Sequence, residues 1–197
     1  LNSLKYLKRF FSIKKIDFLV ILTRFKTSSR GDPWDSSLWN NQYLNSIIDI
    51  SKRFETIDNC SYSIRRHPAQ SNSEDYINFV KTLNPNVKLD KSVSMKDAIC
   101  RTRVVISTQN STVFLECLYF NIPVLIFWDT EINPVRNSSI KFFDQLKSVG
   151  IFHTTTSSLM EFIQENKSST SLWWNSTELQ KVRVEFCNNY ARKKKKN

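Results

Sequence analysis

Two short polar segments of the sequence carry the residue types that bind anions. Residues 65–68 read Arg-Arg-His-Pro and stand at the end of the strand expected at 61–65. Arginine offers forked N–H donors that suit phosphate oxygens, and histidine can donate from a ring nitrogen. Residues 107–112 read Ser-Thr-Gln-Asn-Ser-Thr, a run of small hydroxyl and amide side chains. The candidate ligands of a phosphate-like group are Arg66, His67, Ser107, Thr108, Asn110, Ser111 and Thr112.

Both segments also have a simpler interpretation. The first is compatible with a solvated basic turn, and the second with an ordinary capped helix start. The sequence contains neither G-x-G-x-x-G nor G-x-x-x-x-G-K, so neither a dinucleotide fingerprint nor a P-loop supports the phosphate hypothesis. A G-x-S-x-G nucleophile elbow and a zinc-type set of His and Cys are missing as well. The sequence therefore names no catalytic residue and predicts no metal site and no cofactor.

The elements around residues 107–112 predict how these side chains are placed. Residues 104–106 form a β-branched apolar run typical of a buried strand, and residues 124–127 form a second one. An apolar helical face begins between them at Val113. Strand, polar loop, helix and strand make up the βαβ unit of a parallel sheet. The loop then lies at a helix N terminus, where free N–H groups and the helix dipole favour an anion.

The same alternation runs through the whole chain. Further strands are expected at 16–23, 61–65, 87–89 and 151–153. Helices are expected at 39–54, 74–83, 95–101, 140–149, 157–165 and 173–190. This order predicts an α/β fold with a doubly wound, Rossmann-like parallel sheet. Ligands of such sheets bind beyond the carboxyl ends of the strands, so we expect Arg66, His67, Ser111 and Glu116 to converge at one sheet edge.

Glu116 lies one helical turn beyond Thr112 and is the only carboxylate close to the polar loop. A carboxylate at this position could accept hydrogen bonds from both hydroxyls of a ribose, as acidic residues do in related folds. An equally well supported alternative is that the Glu116 side chain simply faces solvent.

The positive charge is concentrated at the two ends of the chain. The net charge is +11, but residues 1–15 and 192–197 each hold five basic residues and no acid, which leaves 19 basic residues against 18 acidic ones. A nearly neutral body does not predict nucleic-acid binding. We expect a basic linker or amphipathic segment at 1–15, a Rossmann-like domain at 16–191 and a basic tail at 192–197. The tail is either solvated or in weak contact with an anionic membrane surface.

The cysteines and the apolar runs of the sequence indicate the cellular compartment of the protein. Four cysteines lack the spacing of a metal knuckle or a redox pair, and no apolar run approaches the roughly 20 residues that cross a bilayer. We therefore expect a cytoplasmic protein, with any membrane contact peripheral and at the inner face. The chain begins with Leu, which suggests a piece of a longer protein.

The central unit resembles the carboxyl-terminal half of a GT-B glycosyltransferase. Residues 114–124 read Phe-Leu-Glu-Cys-Leu-Tyr-Phe-Asn-Ile-Pro-Val and are similar to the Leu-Glu-Ala to Gly-x-Pro-Val pattern of that family, with Asn121 in place of the usual Gly. The chain more closely resembles the transferases of bacterial surface-carbohydrate biosynthesis. The segments that carry this resemblance are 110–116, 121–128, 142–153 and 173–186, with Trp173, Trp174, Gln180 and Phe186 in the last.

The resemblance implies two Rossmann-like domains, with an activated donor in the cleft between them. The carboxyl-terminal domain would hold the nucleotide, the His-Pro element and the Ser/Thr loop would contact the diphosphate, and Glu116 would bind the ribose. GT-B enzymes with paired acids have a further acid where Thr108 stands here, so the paired-acid retaining mechanism is not supported. The acceptor, a saccharide or a lipid-linked group, and the general base would belong with an amino-terminal domain that this chain lacks. The alternative is a non-catalytic module that binds a nucleotide or a phosphosugar.

Overall fold

A six-stranded, all-parallel sheet forms the centre of the computed structural model, which describes residues 16–24, 36–68, 74–83 and 87–191. The strands are β1 (Ile16–Ile21), β2 (Tyr62–Arg65), β3 (Lys88–Leu89), β4 (Thr102–Ser107), β5 (Val124–Phe127) and β6 (Phe152–His153). Their order in the sheet is β3-β2-β1-β4-β5-β6, and every neighbouring pair is parallel. This is the strand order of a doubly wound sheet, so the predicted fold class is confirmed.

Helices occupy both faces of this sheet. They are α1 (Ser36–Glu55), α2 (Glu74–Thr82), α3 (Met95–Cys100), α4 (Thr112–Tyr119), α5 (Ile140–Ser148), α6 (Thr156–Asn166), α7 (Thr170–Trp174) and α8 (Thr177–Tyr190). One core cluster joins Val105 to residues of α3, α4, α5 and α8, and the other joins Val104 and Ile106 to residues of α1, α2 and α6. Because both faces are covered, consecutive strand residues are apolar rather than alternating.

Helix ends follow local signals that the sequence contains. Ser94 caps α3, since its side chain accepts a hydrogen bond from the Asp97 N–H at 3.1 Å, as its position predicts. Gly150 follows α5 with a φ of +73°, a left-handed conformation that ends a helix at little cost in glycine.

The predicted long helix over 173–190 is wrong, because the structure has α7 and α8 with a break at Asn175 and Ser176. The hydroxyl of Ser176 accepts a hydrogen bond from the Leu179 N–H at 3.4 Å and caps α8. Serine competes with the backbone for such bonds and therefore favours a helix start over a helix interior.

Some predictions fall on residues that the structure does not describe. The segments 1–15 and 192–197, the turn around Gly31 and the cap at Ser73 all lie outside the described residues. None of the helices in the described ranges has the length and apolar character needed to cross a lipid bilayer.

Asn121 links α4 to the carboxyl-terminal helices. It adopts a left-handed backbone with a φ of +55°, which asparagine tolerates better than most residues. Its side-chain oxygen accepts hydrogen bonds from Trp174 Nε1 at 2.9 Å and from Gln180 Nε2 at 3.1 Å. Trp174 is 3% exposed, so its indole N–H has no easy access to water. Asn121 therefore adopts the backbone conformation of the turn and also accepts a hydrogen bond from a buried donor. Glycine could adopt the same backbone but could not accept this hydrogen bond.

We expect Asn121→Gly to lower the free energy of unfolding by about 1–2 kcal/mol, because the buried indole N–H loses its acceptor while the turn itself is relieved. Asn121→Asp should cost less, since it keeps both the acceptor oxygen and the tolerance for this backbone. Urea unfolding of the two variants measures the difference. A glycine variant as stable as the wild type would show that the hydrogen bonds of Asn121 contribute nothing net.

Candidate functional site

The strand register brings the two polar segments to the same edge of the sheet. Ile21 pairs with Arg65 of β2 on one side and with Ser107 of β4 on the other. Residues that follow these three positions must therefore leave the sheet side by side at its carboxyl edge. The chain passes from one face of the sheet to the other between β1 and β4, and this switch point is where doubly wound folds bind their ligands.

A cavity of about 230 Å³ lies at this point of the sheet edge. Polar side chains from all three strand ends line it: Thr23, Arg66, His67, Ser107, Gln109, Ser111 and Thr112. Its remaining walls are Ile21, Leu22, Pro68, Met95 and Val113. No carboxylate is among these described lining residues, so the groups that face the space are one cation, one imidazole, hydroxyls and an amide.

The N terminus of α4 forms one wall of the cavity. Ser111 is the cap residue of this helix, but its side chain makes no capping hydrogen bond and instead lies 3.2 Å from the hydroxyl of Ser107. Ser107 donates in turn to the backbone oxygen of Gln109 at 3.1 Å. Hydroxyls can turn, and first-turn N–H groups lack intrahelical partners. The arrangement can donate several hydrogen bonds to an anion.

Five of the eight candidate residues line the cavity, and three do not. Arg66, His67, Ser107, Ser111 and Thr112 line it, whereas Thr108, Asn110 and Glu116 do not. Asn110 is exposed. Glu116 lies one helical turn beyond Thr112, about 6 Å further along α4, so the expected convergence does not extend to it.

Thr108 is turned to the opposite side of the sheet. Successive residues at the end of a strand point to alternate faces, so Ser107 faces the cavity and Thr108 faces α1. Its hydroxyl is 1% exposed, donates to the backbone oxygen of Ile21 at 2.7 Å and lies 2.8 Å from the hydroxyl of Tyr43. The hydroxyl points away from the cavity, so the expectation that it contacts the donor finds no geometric support.

Two polar lining residues, Thr23 and Gln109, are not among those predicted from the sequence. Gln109 stands inside the polar loop, and Thr23 is the first polar residue after an apolar strand. A polar residue just beyond the carboxyl end of a strand is itself a signal for this edge. Gln109 also borders a second cavity of about 20 Å³ on the α1 side, next to Trp128 and Asp129, which has room for a single water.

A buried ion pair supports the wall that Arg66 and His67 form. Arg65 of β2 pairs with Asp90 after β3, with side chains 11% and 5% exposed. Arg65 Nη1 also donates to the backbone oxygen of Ser92 at 3.0 Å, and Asp90 accepts from the Ser92 hydroxyl at 2.7 Å. The pair therefore joins the β2 end of the cavity to the loop that leads to Met95.

His153 has a structural role, which distinguishes it from His67. It is 6% exposed, its Nε2 donates to the backbone oxygen of Gly150 at 3.1 Å, and its Nδ1 lies 3.2 Å from the Ser158 hydroxyl. Burial lowers the pKa of His153 to about 4, so the ring is neutral at pH 7. His67, in contrast, is partly exposed and lines the cavity.

The described residues contain no group of three or more His, Cys, Asp or Glu side chains that could hold a metal ion. The four cysteines, all within the described ranges, are free thiols. Burial raises the pKa of Cys60 to about 11 and also raises that of Cys187. Cys60 and Cys187 therefore lack the lowered pKa of reactive cysteines.

Comparison with protein-family models matches residues 12–197 to the model described as LIC12162 family transferase. The chain belongs to this family. The match covers the whole sheet, including the cavity and the α7–α8 segment. A search of curated proteins found no match. Membership of the LIC12162 family assigns a transferase role to the chain.

Proposed function

We propose that this chain is the donor-binding half of a transferase that moves a sugar or sugar-like group from a nucleotide-activated donor. One observation carries the proposal: a cavity at the switch point of the sheet brings Arg66 and His67 together with Ser107, Ser111 and Thr112. A diphosphate needs several charge-assisted donors and no neighbouring carboxylate, and this lining meets both requirements. The N–H groups at the start of α4 supply the remaining donors.

The size of the cavity supports the proposal that it encloses only part of the donor. Its 230 Å³ is below the roughly 300–1,000 Å³ of pockets that enclose drug-sized ligands. We infer that it takes the diphosphate, while the nucleoside and the sugar extend beyond it. We propose that Glu116, which lies further along α4 and outside the cavity, contacts the ribose rather than the phosphates.

The proposal also concerns the transfer reaction and the roles of the cavity residues in it. Membership of a transferase family favours an enzyme over a binding module. The resemblance to the GT-B carboxyl-terminal half accounts for the position of the cavity, and the resemblance to transferases of bacterial surface-carbohydrate biosynthesis suggests the pathway class. Arg66 and His67 would bind and orient the diphosphate leaving group and stabilise the charge that develops on it, which is how fixed donors accelerate such transfers.

Calorimetric titration with cytidine, uridine and guanosine diphosphates and with inorganic pyrophosphate tests the proposal. We expect pyrophosphate and at least one nucleotide to bind with a stoichiometry of about one, and to compete with each other for one site. Protein that is folded by circular dichroism but binds none of the four would contradict the donor-site proposal for this chain.

Replacing Glu116 with glutamine should separate the nucleoside from the phosphates. We expect Glu116→Gln to weaken the nucleoside diphosphate by roughly tenfold, because two hydroxyl donors lose a charged acceptor, and to leave pyrophosphate affinity within about twofold. Glu165→Gln, which removes an exposed acid on α6, is the matched control and should change neither affinity. An equal loss for both ligands in the Glu116 variant would rule out the ribose role.

A further inference from the structure

Three hydroxyl and amide groups meet behind the cavity, on the α1 side of the sheet. The hydroxyl of Tyr43 lies 2.8 Å from that of Thr108. Thr108 donates to the backbone oxygen of Ile21 at 2.7 Å, and the backbone N–H of Thr23 donates to the Tyr43 hydroxyl at 3.0 Å. Tyr43 and Thr108 are 8% and 1% exposed, so these bonds are shielded from water.

The direction of each hydrogen bond in this network is determined. Thr108 has one hydroxyl hydrogen, and the carbonyl of Ile21 can only accept it. The Tyr43 hydroxyl must then donate to Thr108 while it accepts from Thr23. Burial raises the pKa of Tyr43 to about 12, so its proton is retained over the physiological range. The loss of the Tyr43 hydroxyl therefore removes one hydrogen-bond partner from Thr23 and one from Thr108.

The partners of Tyr43 belong to two neighbouring chain segments that line the 230 Å³ cavity. Ile21 and Thr23 line it from the end of β1. Thr108 does not line it, but its neighbours Ser107 and Gln109 do. The Tyr43 hydroxyl thus connects the β1 end to the loop between β4 and α4, in addition to a long backbone contact of 3.4 Å from the Thr108 N–H to the Ile21 oxygen.

We propose that Tyr43 is a positioning residue for the anion held in this cavity. It would act through Thr23, which lines the cavity, and through Thr108, whose two neighbours line it. The inference rests on the proposed function, since it concerns the same site. The distance between hydroxyl donors and an anion decides how many bonds can form at once, and a wall that shifts by a fraction of an ångström loses some of them. Tyr43 therefore contributes to affinity without contacting the ligand.

The chain offers a matched control for the removal of one tyrosine hydroxyl. Tyr62 stands at the amino end of β2, where its hydroxyl lies 2.9 Å from the Ser51 hydroxyl and donates to the Ser51 backbone oxygen at 3.2 Å. Like Tyr43, it loses bonds to a neighbouring side chain and to the backbone when changed to phenylalanine. It lies at the opposite edge of the sheet from the cavity, because Arg65 ends the same strand.

The experiment is titration with inorganic pyrophosphate, together with urea unfolding of every variant. We expect Tyr43→Phe to raise the dissociation constant about tenfold, and Tyr62→Phe to change it less than twofold at a similar loss of stability. Thr108→Val, which keeps the shape but removes the hydroxyl, should resemble Tyr43→Phe, whereas Thr108→Ser should retain wild-type affinity. The Tyr43→Phe/Thr108→Val double variant should bind about as weakly as either single one, because both changes break the same link.

Two results would overturn the inference. One is a Tyr43→Phe variant that binds pyrophosphate with wild-type affinity. The other is a Tyr62→Phe variant that loses as much pyrophosphate affinity as Tyr43→Phe, because the effect would then come from a general loss of stability. If the wild-type protein itself fails to bind pyrophosphate, the proposed function fails first and this inference fails with it. Wild-type binding with an unaffected Tyr43 variant overturns the positioning role alone.

Discussion

Arg65→Met should lower the free energy of unfolding by about 3–5 kcal/mol. The substitution keeps the length and most of the apolar stem of the side chain but leaves Asp90, which is 5% exposed, as a buried carboxylate without its cation. The hydroxyl and the backbone N–H of Ser92 remain as partners of Asp90, yet two neutral hydrogen bonds do not replace the ion pair. Urea unfolding monitored by tryptophan fluorescence measures the change.

Two comparisons show whether burial is the cause. Arg103→Met removes the same group from an exposed pair with Asp17, where the arginine is 56% exposed, and should cost only about 0–1 kcal/mol. The double variant Arg65→Met/Asp90→Leu should recover much of the lost stability, since no unpaired charge is then left inside the protein. If Arg65→Met and Arg103→Met lower the free energy of unfolding by similar amounts, burial of the ion pair is not the cause of the loss.

The second large effect concerns the anion site itself. We expect His67→Ala to weaken pyrophosphate binding roughly ten- to a hundredfold, which corresponds to a charge-assisted hydrogen bond worth about 1.5–3 kcal/mol. His67 lines the cavity from the end of β2, opposite the hydroxyl loop that precedes α4. Ser111→Ala should cost less, because the N–H groups of the helix start remain after the hydroxyl is gone. Calorimetric titration at constant salt measures both.

Two further variants distinguish a specific donor from a general loss of positive charge. His67→Gln keeps an N–H donor near the same place and should fall between His67→Ala and the wild type. Arg101→Ala removes a full charge from the exposed turn before β4, at the other edge of the sheet, and should leave affinity within about twofold. If Arg101→Ala weakens binding as much as His67→Ala, pyrophosphate is held by long-range charge and not by the cavity.

Much of the fold could be predicted from the sequence, because its signals are local. The apolar runs of the strands and the apolar faces of the helices alternate along the chain, and a parallel doubly wound sheet is the arrangement that buries them all. The meeting of the Arg-His pair with the Ser/Thr loop follows from the same reasoning, since parallel strands end at a common edge. Ser94 and Gly150 likewise act within their own turns.

The direction of individual side chains at the sheet edge was decided by the tertiary structure. Thr108 and Ser107 look alike in the sequence, but the last sheet-paired position is Ser107, so the next side chain turns to the opposite face and meets Tyr43. That partner is 65 residues away in the chain, and no local pattern indicates it. Glu116 stays outside the cavity for a similar reason: its distance from the site depends on where α4 begins.

The sequence by itself therefore determined the order of the elements, the sheet edge at which we propose that the donor binds and most of the residue types gathered there. The tertiary structure decided which of those residues face the cavity, and it added Thr23, Gln109 and the Arg65–Asp90 pair. Strand and helix formation depends on neighbours a few residues apart, whereas the lining of a cavity depends on contacts between strand ends. Asp90 lies 25 residues from Arg65, and only the packing of β3 beside β2 brings the two charges together.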